Sequence, residues 1–375
     1  MKVYIARPDF TDRERAAIRA YAEPEVTQFA QGPEVAKFEQ EFASFVEQSE
    51  AVAVNSGSSA NLLLFTAMLE LGLLTKGDEI IVPTCTFGSV VAPLYQLGLI
   101  PVYVDINEES LNIDPQRIEA ALSERTKMIL VVHTLGNPAP MDKIADIAKA
   151  NGLLVVEDCC EAHGATLGTD SVGALSIAST YSFYVAHNMT TFEGGLVATS
   201  DTEISAIIRS LREFGRSFGD RWDYEDKHLK GYDRRYIFQR LGYSLKMLDL
   251  QAAVGRIQLQ RLPEMNQRRR SIAAIYNQEF YGKSQVIPGH VYYAFPMIHK
   301  NRDAIVRKLD DEGVETRPIF GGALHLHPAY RDLPHRITDC PTSERIKNEG
   351  FFLPCHSAMT PDETDYVATT VQKLI

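Results

Sequence analysis

Cysteine is scarce in this 375-residue chain and poorly placed for cross-linking. The five, Cys85, Cys159, Cys160, Cys340 and Cys355, are odd in number and include no C-x-x-C pair. A disulfide framework and a cysteine-based zinc site are therefore not expected. No uninterrupted run of about 18 apolar residues occurs, so no membrane span is expected. The opening residues, Met1 to Arg7, carry no apolar segment ahead of a small-residue cleavage site, and a cytoplasmic location is the expectation. Positive charge is also short. Lys and Arg number 38 against 49 Asp and Glu, a net charge of −11, which argues against a nucleic-acid partner because affinity for a phosphate backbone needs a basic face. Repeats, low-complexity tracts and flexible linkers are missing too, so independent modules are not expected.

What remains is an ordinary globular composition, 45% apolar and 23% charged, long enough for two domains. Short apolar runs at 51–54, 79–83, 101–105, 128–133, 153–158 and 196–200 read as strands. Amphipathic stretches at 60–73, 115–122 and 141–151 lie between them. Strands that alternate with helices build a mainly parallel sheet covered on both faces. From Asp249 the pattern changes to a long helix at 249–281, a strand at 292–298, a helix at 302–312 and a last helix after Pro361. The expected organisation is α/β, with a large domain at 1–248 and a smaller α/β C-terminal domain at 249–375.

Several groups sit where such a sheet places its chemistry. Asn55-Ser56-Gly57-Ser58-Ser59-Ala60-Asn61 follows a strand and opens a helix, where backbone N–H groups can converge on a phosphate; a plain helix cap has the same composition. Phe87, just past the next strand, can stack on a flat ring or simply pack in the core. Asp158 ends the run Leu153-Leu154-Val155-Val156-Glu157, at the carboxyl end of a buried strand, where a carboxylate can hold a protonated pyridine nitrogen or cap a helix. The interval 212–246 holds nine basic residues, Arg212, Arg216, Arg221, Lys227, Lys230, Arg234, Arg235, Arg240 and Lys246, against six acidic ones. It is either a solvated mixed-charge loop or an island that steers a diphosphate. His325 and His327 alternate without a third ligand, so no metal is assigned.

Taken together, these segments resemble the DegT/DnrJ/EryC1/StrS sugar-nucleotide aminotransferase family over essentially the whole chain. Asp158 stands 24 positions before Ser182, and Ser182 five before position 187, a spacing similar to that of the family's aspartate, serine and lysine. The resemblance implies a fold-type I transferase dependent on pyridoxal phosphate (PLP), aspartate-aminotransferase-like. It gives Gly57, Ser58 and Ser182 to the cofactor phosphate, Phe87 to its ring face and Asp158 to its pyridine nitrogen. Glu161 stands where the aminotransferases usually have a glutamine on the ring hydroxyl. Ser244, in Gly242-Tyr243-Ser244, takes the place of an asparagine lent across a homodimer with shared active sites. Arg317, in Gly313-Val314-Glu315-Thr316-Arg317-Pro318, resembles a substrate-facing residue that can bind a carboxylate or phosphate.

The main departure is His187, in Ser182-Phe183-Tyr184-Val185-Ala186-His187-Asn188, where the family carries its lysine. A lysine amine is both covalent tether and base; an imidazole cannot tether PLP but can move protons near neutral pH. The exchange resembles the sugar 3-dehydratase subgroup. It implies an enzyme that removes the C3 hydroxyl of a nucleotide-linked 4-keto-6-deoxyhexose, with PLP converted to pyridoxamine phosphate (PMP) by a donor such as glutamate and His187 as acid and base. A related branch uses an iron–sulfur cluster held by cysteines; residues 214–240 contain none, so no cluster is expected. An aminotransferase using histidine as base and a non-catalytic PLP-binding homologue are the alternatives.

Overall fold

In the computed structural model, which describes residues 1–216, 229–282 and 286–375, helices α1 (Asp12–Ala20) and α2 (Pro33–Phe45) precede the first strand, β1 (Glu50–Val54). Alternation then follows: α3 (Gly57–Glu70), β2 (Glu79–Pro83), α4 (Gly88–Gln96), β3 (Ile100–Val104), α5 (Pro115–Ala121), β4 (Thr126–Val132), α6 (Met141–Asn151) and β5 (Leu154–Asp158). A short hairpin, β6 (Thr166–Leu167) and β7 (Asp170–Ser171), leads to β8 (Ala178–Ser182), β9 (Gly195–Thr199) and α7 (Thr202–Arg212). The remainder is α8 (Asp249–Tyr281), β10 (Phe295–Ile298), α9 (Arg302–Asp311), β11 (Arg317–Pro318), β12 (Arg336–Ile337), α10 (Pro341–Glu349), β13 (Gly350–Leu353) and α11 (Pro361–Gln372).

The main sheet has the order β1-β9-β8-β5-β4-β2-β3-β12. Only β9 runs against the rest, so the sheet is mainly parallel, as the alternating pattern implied. Its central strands are apolar because both faces are covered: all five residues of β2 are buried, and each buried Ile or Val there stabilises the fold by about 1.5–3 kcal/mol. With this topology the carboxyl ends of β1, β5 and β8 and the start of β9 share one edge. A second, antiparallel sheet, β10-β13-β11, forms beyond α8. The C-terminal part is stitched back to the first: β12 pairs with β3, and Val3 bridges Val314.

Three local differences from the sequence reading have physical causes. Strand β8 (Ala178-Ser-Thr-Tyr-Ser) has no apolar run, yet it is buried throughout because its hydroxyls find partners: Ser179 Oγ donates to the Gly173 carbonyl at 2.9 Å and Thr180 Oγ1 to Asn61 Oδ1 at 2.9 Å. Helix α4 has no side-chain cap and carries Pro93 inside, which removes its usual sequence signals. The strand read from 292 begins only at Phe295. Tyr292 adopts φ +46°, and Tyr293 N donates to the Leu135 carbonyl at 2.9 Å instead of joining the ladder.

Candidate active site

Three chain segments meet at the carboxyl edge because small residues let them. Helix α3 starts at Gly57, with Ser56 Oγ accepting from Ser59 N as the cap. A Cβ on Gly57 would lie 2.6 Å from Ser182 Cβ, and one on Gly195 would lie 2.2 Å from the Ser56 carbonyl group. Any side chain at either position would push β8 or β9 away from the helix start. The result is a helix N-terminus with Ser182 beside it and Ser58 exposed, a cradle that favours a bound anion by about 0.3–2 kcal/mol.

Asp158 ends β5 beside that cradle and is 3% exposed. Its Oδ2 accepts from Asn61 Nδ2 at 2.9 Å and its Oδ1 from Cys160 N at 3.0 Å. The Thr180 hydroxyl, by donating to Asn61 Oδ1, fixes which end of the Asn61 amide faces Asp158. A row of donors thus holds the group as a carboxylate acceptor. Three residues on, Glu161 Oε2 accepts from Leu135 N at 2.7 Å. Burial, with the Asp158 charge added, pushes its carboxyl up to about 8, so Glu161 is protonated at neutral pH and can donate a hydrogen bond.

His187 lies in the loop between β8 and β9, where its backbone N donates to the Tyr184 carbonyl at 3.0 Å. Its ring sits 5.4 Å from the Tyr293 ring and 6.0 Å from that of His163, centroid to centroid. Nδ1 is buried and has no hydrogen-bond partner among the described residues. Burial first, and then His163 and the Arg269 guanidinium, hold the imidazole well below its ordinary value. It is therefore a neutral base at physiological pH.

Gly57, Ser58, Phe87, Asp158, Glu161, Ser182 and His187 all line one cleft of about 330 Å³. No lysine lines it among the described residues. Phe87 is 62% exposed there, an aromatic face with room for a flat ring. The cleft also takes Tyr293 and Phe320, which were not singled out in the sequence. Their sequence distance from the other groups hides the contact: residues 291–293 pair with the turn at Leu135-Gly136 and carry Tyr293 in, while the segment around Phe320 is bound to Thr84 and Cys85 after β2.

Two expected residues lie outside the cleft. Arg317 is exposed on β11, its guanidinium donating to the Thr316 carbonyl at 2.7 Å, yet its charge acts on Tyr293 and Phe320 follows three residues later. Ser244 is exposed and accepts from Lys246 Nζ at 3.2 Å. Several cations of the basic interval are engaged in pairs: Arg212 with Glu39, Arg240 with Glu70, Arg235 with Asp233 and Lys246 with Glu213. Arg221 and Lys227, with the acidic residues 220, 223, 225 and 226, lie outside the described residues. His325 Nδ1 bonds the Thr84 hydroxyl at 2.8 Å. One buried group of potential metal ligands, His133, Glu157 and Cys159, is already engaged. Glu157 accepts from Gly173 N, Leu175 N and the Ser176 hydroxyl, and faces His133 Nε2 at 3.0 Å.

The parallel sheet with its site at the carboxyl edge, a strand-end aspartate and a glycine cradle at a helix start define a fold-type I PLP-enzyme architecture. The sequence profile of the DegT/DnrJ/EryC1/StrS aminotransferase family matches residues 9–372, and the chain belongs to that family, whose members are PLP-dependent enzymes of sugar-nucleotide modification. It is 35% identical over 374 residues to the dTDP-4-dehydro-2,6-dideoxy-D-glucose 3-dehydratase of Saccharopolyspora spinosa, covering 92% of this chain and 81% of that protein. It is 31% identical over 354 residues to the GDP-perosamine synthase of Caulobacter vibrioides, covering 91% and 90%. A solved GDP-4-keto-6-deoxymannose-3-dehydratase with a trapped PLP–glutamate geminal diamine superposes with a TM-score of 0.90 at 29% identity, covering 99% of this chain and 100% of that one.

The cleft fits PLP on its own geometry. It offers an anion cradle that a Cβ would fill, an open aromatic face, a carboxylate fixed as acceptor and a protonated carboxyl able to donate.

Proposed function

We propose that the chain is a PLP- and PMP-dependent dehydratase that removes the C3 hydroxyl of a nucleotide-linked 4-keto-6-deoxyhexose, with an amino acid such as glutamate as amino donor. The observation that carries this reading is His187: a neutral imidazole in the cleft, at the family's lysine position, with no lysine lining the cleft among the described residues. When bound, PLP supplies an electron sink and, as PMP, an amine for the sugar ketone. Gly57, Ser58 and Ser182 would hold its phosphate, Phe87 would lie against its ring and Asp158 would keep its pyridine nitrogen protonated. Glu161, protonated, would donate a hydrogen bond to the ring's phenolic oxygen, the part that an amide plays in the aminotransferases. His187 accepts a carbon-bound proton at a ring nitrogen and returns one to the departing C3 hydroxyl. Arg317 receives the donor's carboxylate or a substrate phosphate at the mouth of the site. Ser244, outside its own chain's cleft, serves a second copy in a homodimer.

The stoichiometry of the two enzymatic readings differs. Dehydration exchanges the C3 hydroxyl for hydrogen, turns glutamate into 2-oxoglutarate and frees ammonia. Transamination, which the similarity to GDP-perosamine synthase favours, keeps the nitrogen on the sugar. Incubation with PLP, L-glutamate and a GDP-, CDP- or dTDP-linked 4-keto-6-deoxy sugar is expected to release ammonia in step with 2-oxoglutarate and to give a sugar lighter by an oxygen. An amino sugar formed without ammonia would replace this reading by the aminotransferase one, and no 2-oxoglutarate with any of the sugars would leave the non-catalytic one.

A further inference from the structure

Among the described residues, Arg269 is a buried cation that bonds no carboxylate. It lies on the inward row of α8 with Asn266, Ala273 and Tyr276 and is 3% exposed. Where a buried guanidinium usually meets a carboxylate, this one meets main-chain carbonyls. Nη1 donates to Tyr292 at 3.2 Å, Tyr293 at 2.9 Å and Cys355 at 2.9 Å, and Nη2 to His187 at 3.3 Å. Nε has no partner. Three segments far apart in sequence therefore converge on one side chain: the His187 loop, the turn that carries Tyr293, and the chain leaving β13.

Desolvating a cation this fully is expensive, and an apolar residue of the same volume would avoid the cost. Only a planar fork with several donors can bind carbonyls arriving from three directions at once. Two of the tied residues, His187 and Tyr293, face each other across the cleft wall.

We propose that Arg269 is a positioning residue of the active site, its guanidinium tying the His187 loop to the Tyr293 turn so that the imidazole stays aimed into the cleft. The inference rests on the reading of His187 as the proton carrier. A second consequence follows from charge. Arg269 and His163 both oppose protonation of His187. The rings of Tyr184 and Tyr293 flank it, and the acids of the same cleft are Asp158, Glu161 and Glu193. Removing the guanidinium takes away a positive neighbour, so His187 gains its proton at higher pH and the acid limb of activity moves upward.

The test is NMR titration of the cofactor-free protein labelled at histidine nitrogens, with the His187 signals identified by their loss in His187→Asn, together with steady-state kinetics. In the parent, His187 stays neutral as the pH falls through the ordinary histidine range of about 6.5. In Arg269→Met it titrates at higher pH than in the parent, and kcat falls by about 10- to 100-fold, the scale of a slight misplacement of a catalytic group. KM for the sugar nucleotide changes much less. Arg269→Lys, which keeps the charge but not the fork, retains the low titration and recovers only part of kcat. Arg270→Met is the neighbouring control and is expected to match the parent.

A folded Arg269→Met with the parent's titration and kcat overturns the proposal. Should that variant not fold, Arg269→Lys decides, and an undiminished kcat there overturns it equally. The titration needs neither cofactor nor turnover. Failure of the dehydratase reading would therefore show in the products, and failure of the Arg269 role in the His187 signals.

Discussion

His187→Lys is expected to bind PLP covalently and to lose the 3-deoxy product by about 10²-fold or more, the range that general acid–base assistance contributes. The loop geometry does not oppose the exchange, because the hydrogen bond that shapes it, from the backbone N of residue 187 to the Tyr184 carbonyl, involves no side chain. The environment also favours the amine. Burial and the nearby Arg269 charge that depress the imidazole would depress a lysine in the same direction and leave it nucleophilic. Absorbance should show the band of lysine-linked PLP, and mass spectrometry should show a shift from 3-deoxy sugar toward a 4-amino sugar. His187→Asn should lose both products, since it offers neither tether nor base. Dehydration by His187→Lys at the parent's rate would make His187 a bystander.

Asp158→Asn is expected to weaken turnover by about 10- to 100-fold, the equivalent of one lost hydrogen bond to a charged group at about 1.5–3 kcal/mol. Two causes act together. The amide cannot hold the pyridine proton as a carboxylate does. One of its atoms must also become a donor where the protein already supplies donors, Asn61 Nδ2 and Cys160 N. If Asn61 turned to accommodate it, the bond from Thr180 to Asn61 Oδ1 would break. The fold, carried by the apolar strands around it, should survive, which circular dichroism can check. Near-normal turnover in a folded variant would show that the strand-end carboxylate has another task.

The parts legible in the sequence were those whose signal is local. A run such as Leu154 to Asp158 shows both its burial and where its last side chain emerges, and the spacing Asp158, Ser182, His187 survives because only a short hairpin, one strand and one turn separate the members. Strand β8 was not visible as a strand because its stability comes from hydroxyls that find partners only after folding. Tyr293 and Phe320 were missed for a related reason: what brings them to the cleft is pairing between residues far apart in sequence, 135–136 with 291–293 for Tyr293 and 84–85 with 323–324 for Phe320. Arg269 was hidden in the run Arg268-Arg269-Arg270, which reads as a solvated helix face. Only the helix phase, shared with Asn266, Ala273 and Tyr276, distinguishes the one that points inward. For Glu161 the position was legible but not the protonation, which depends on burial and on the charge of Asp158.

The central claim is that this family member works with a cofactor that no lysine holds. Borohydride reduction of the PLP-loaded protein, followed by peptide mapping, addresses it most directly. The expected result is no pyridoxyl-lysine peptide at all, with the cofactor lost on dialysis; a stoichiometric adduct on any lysine would contradict it.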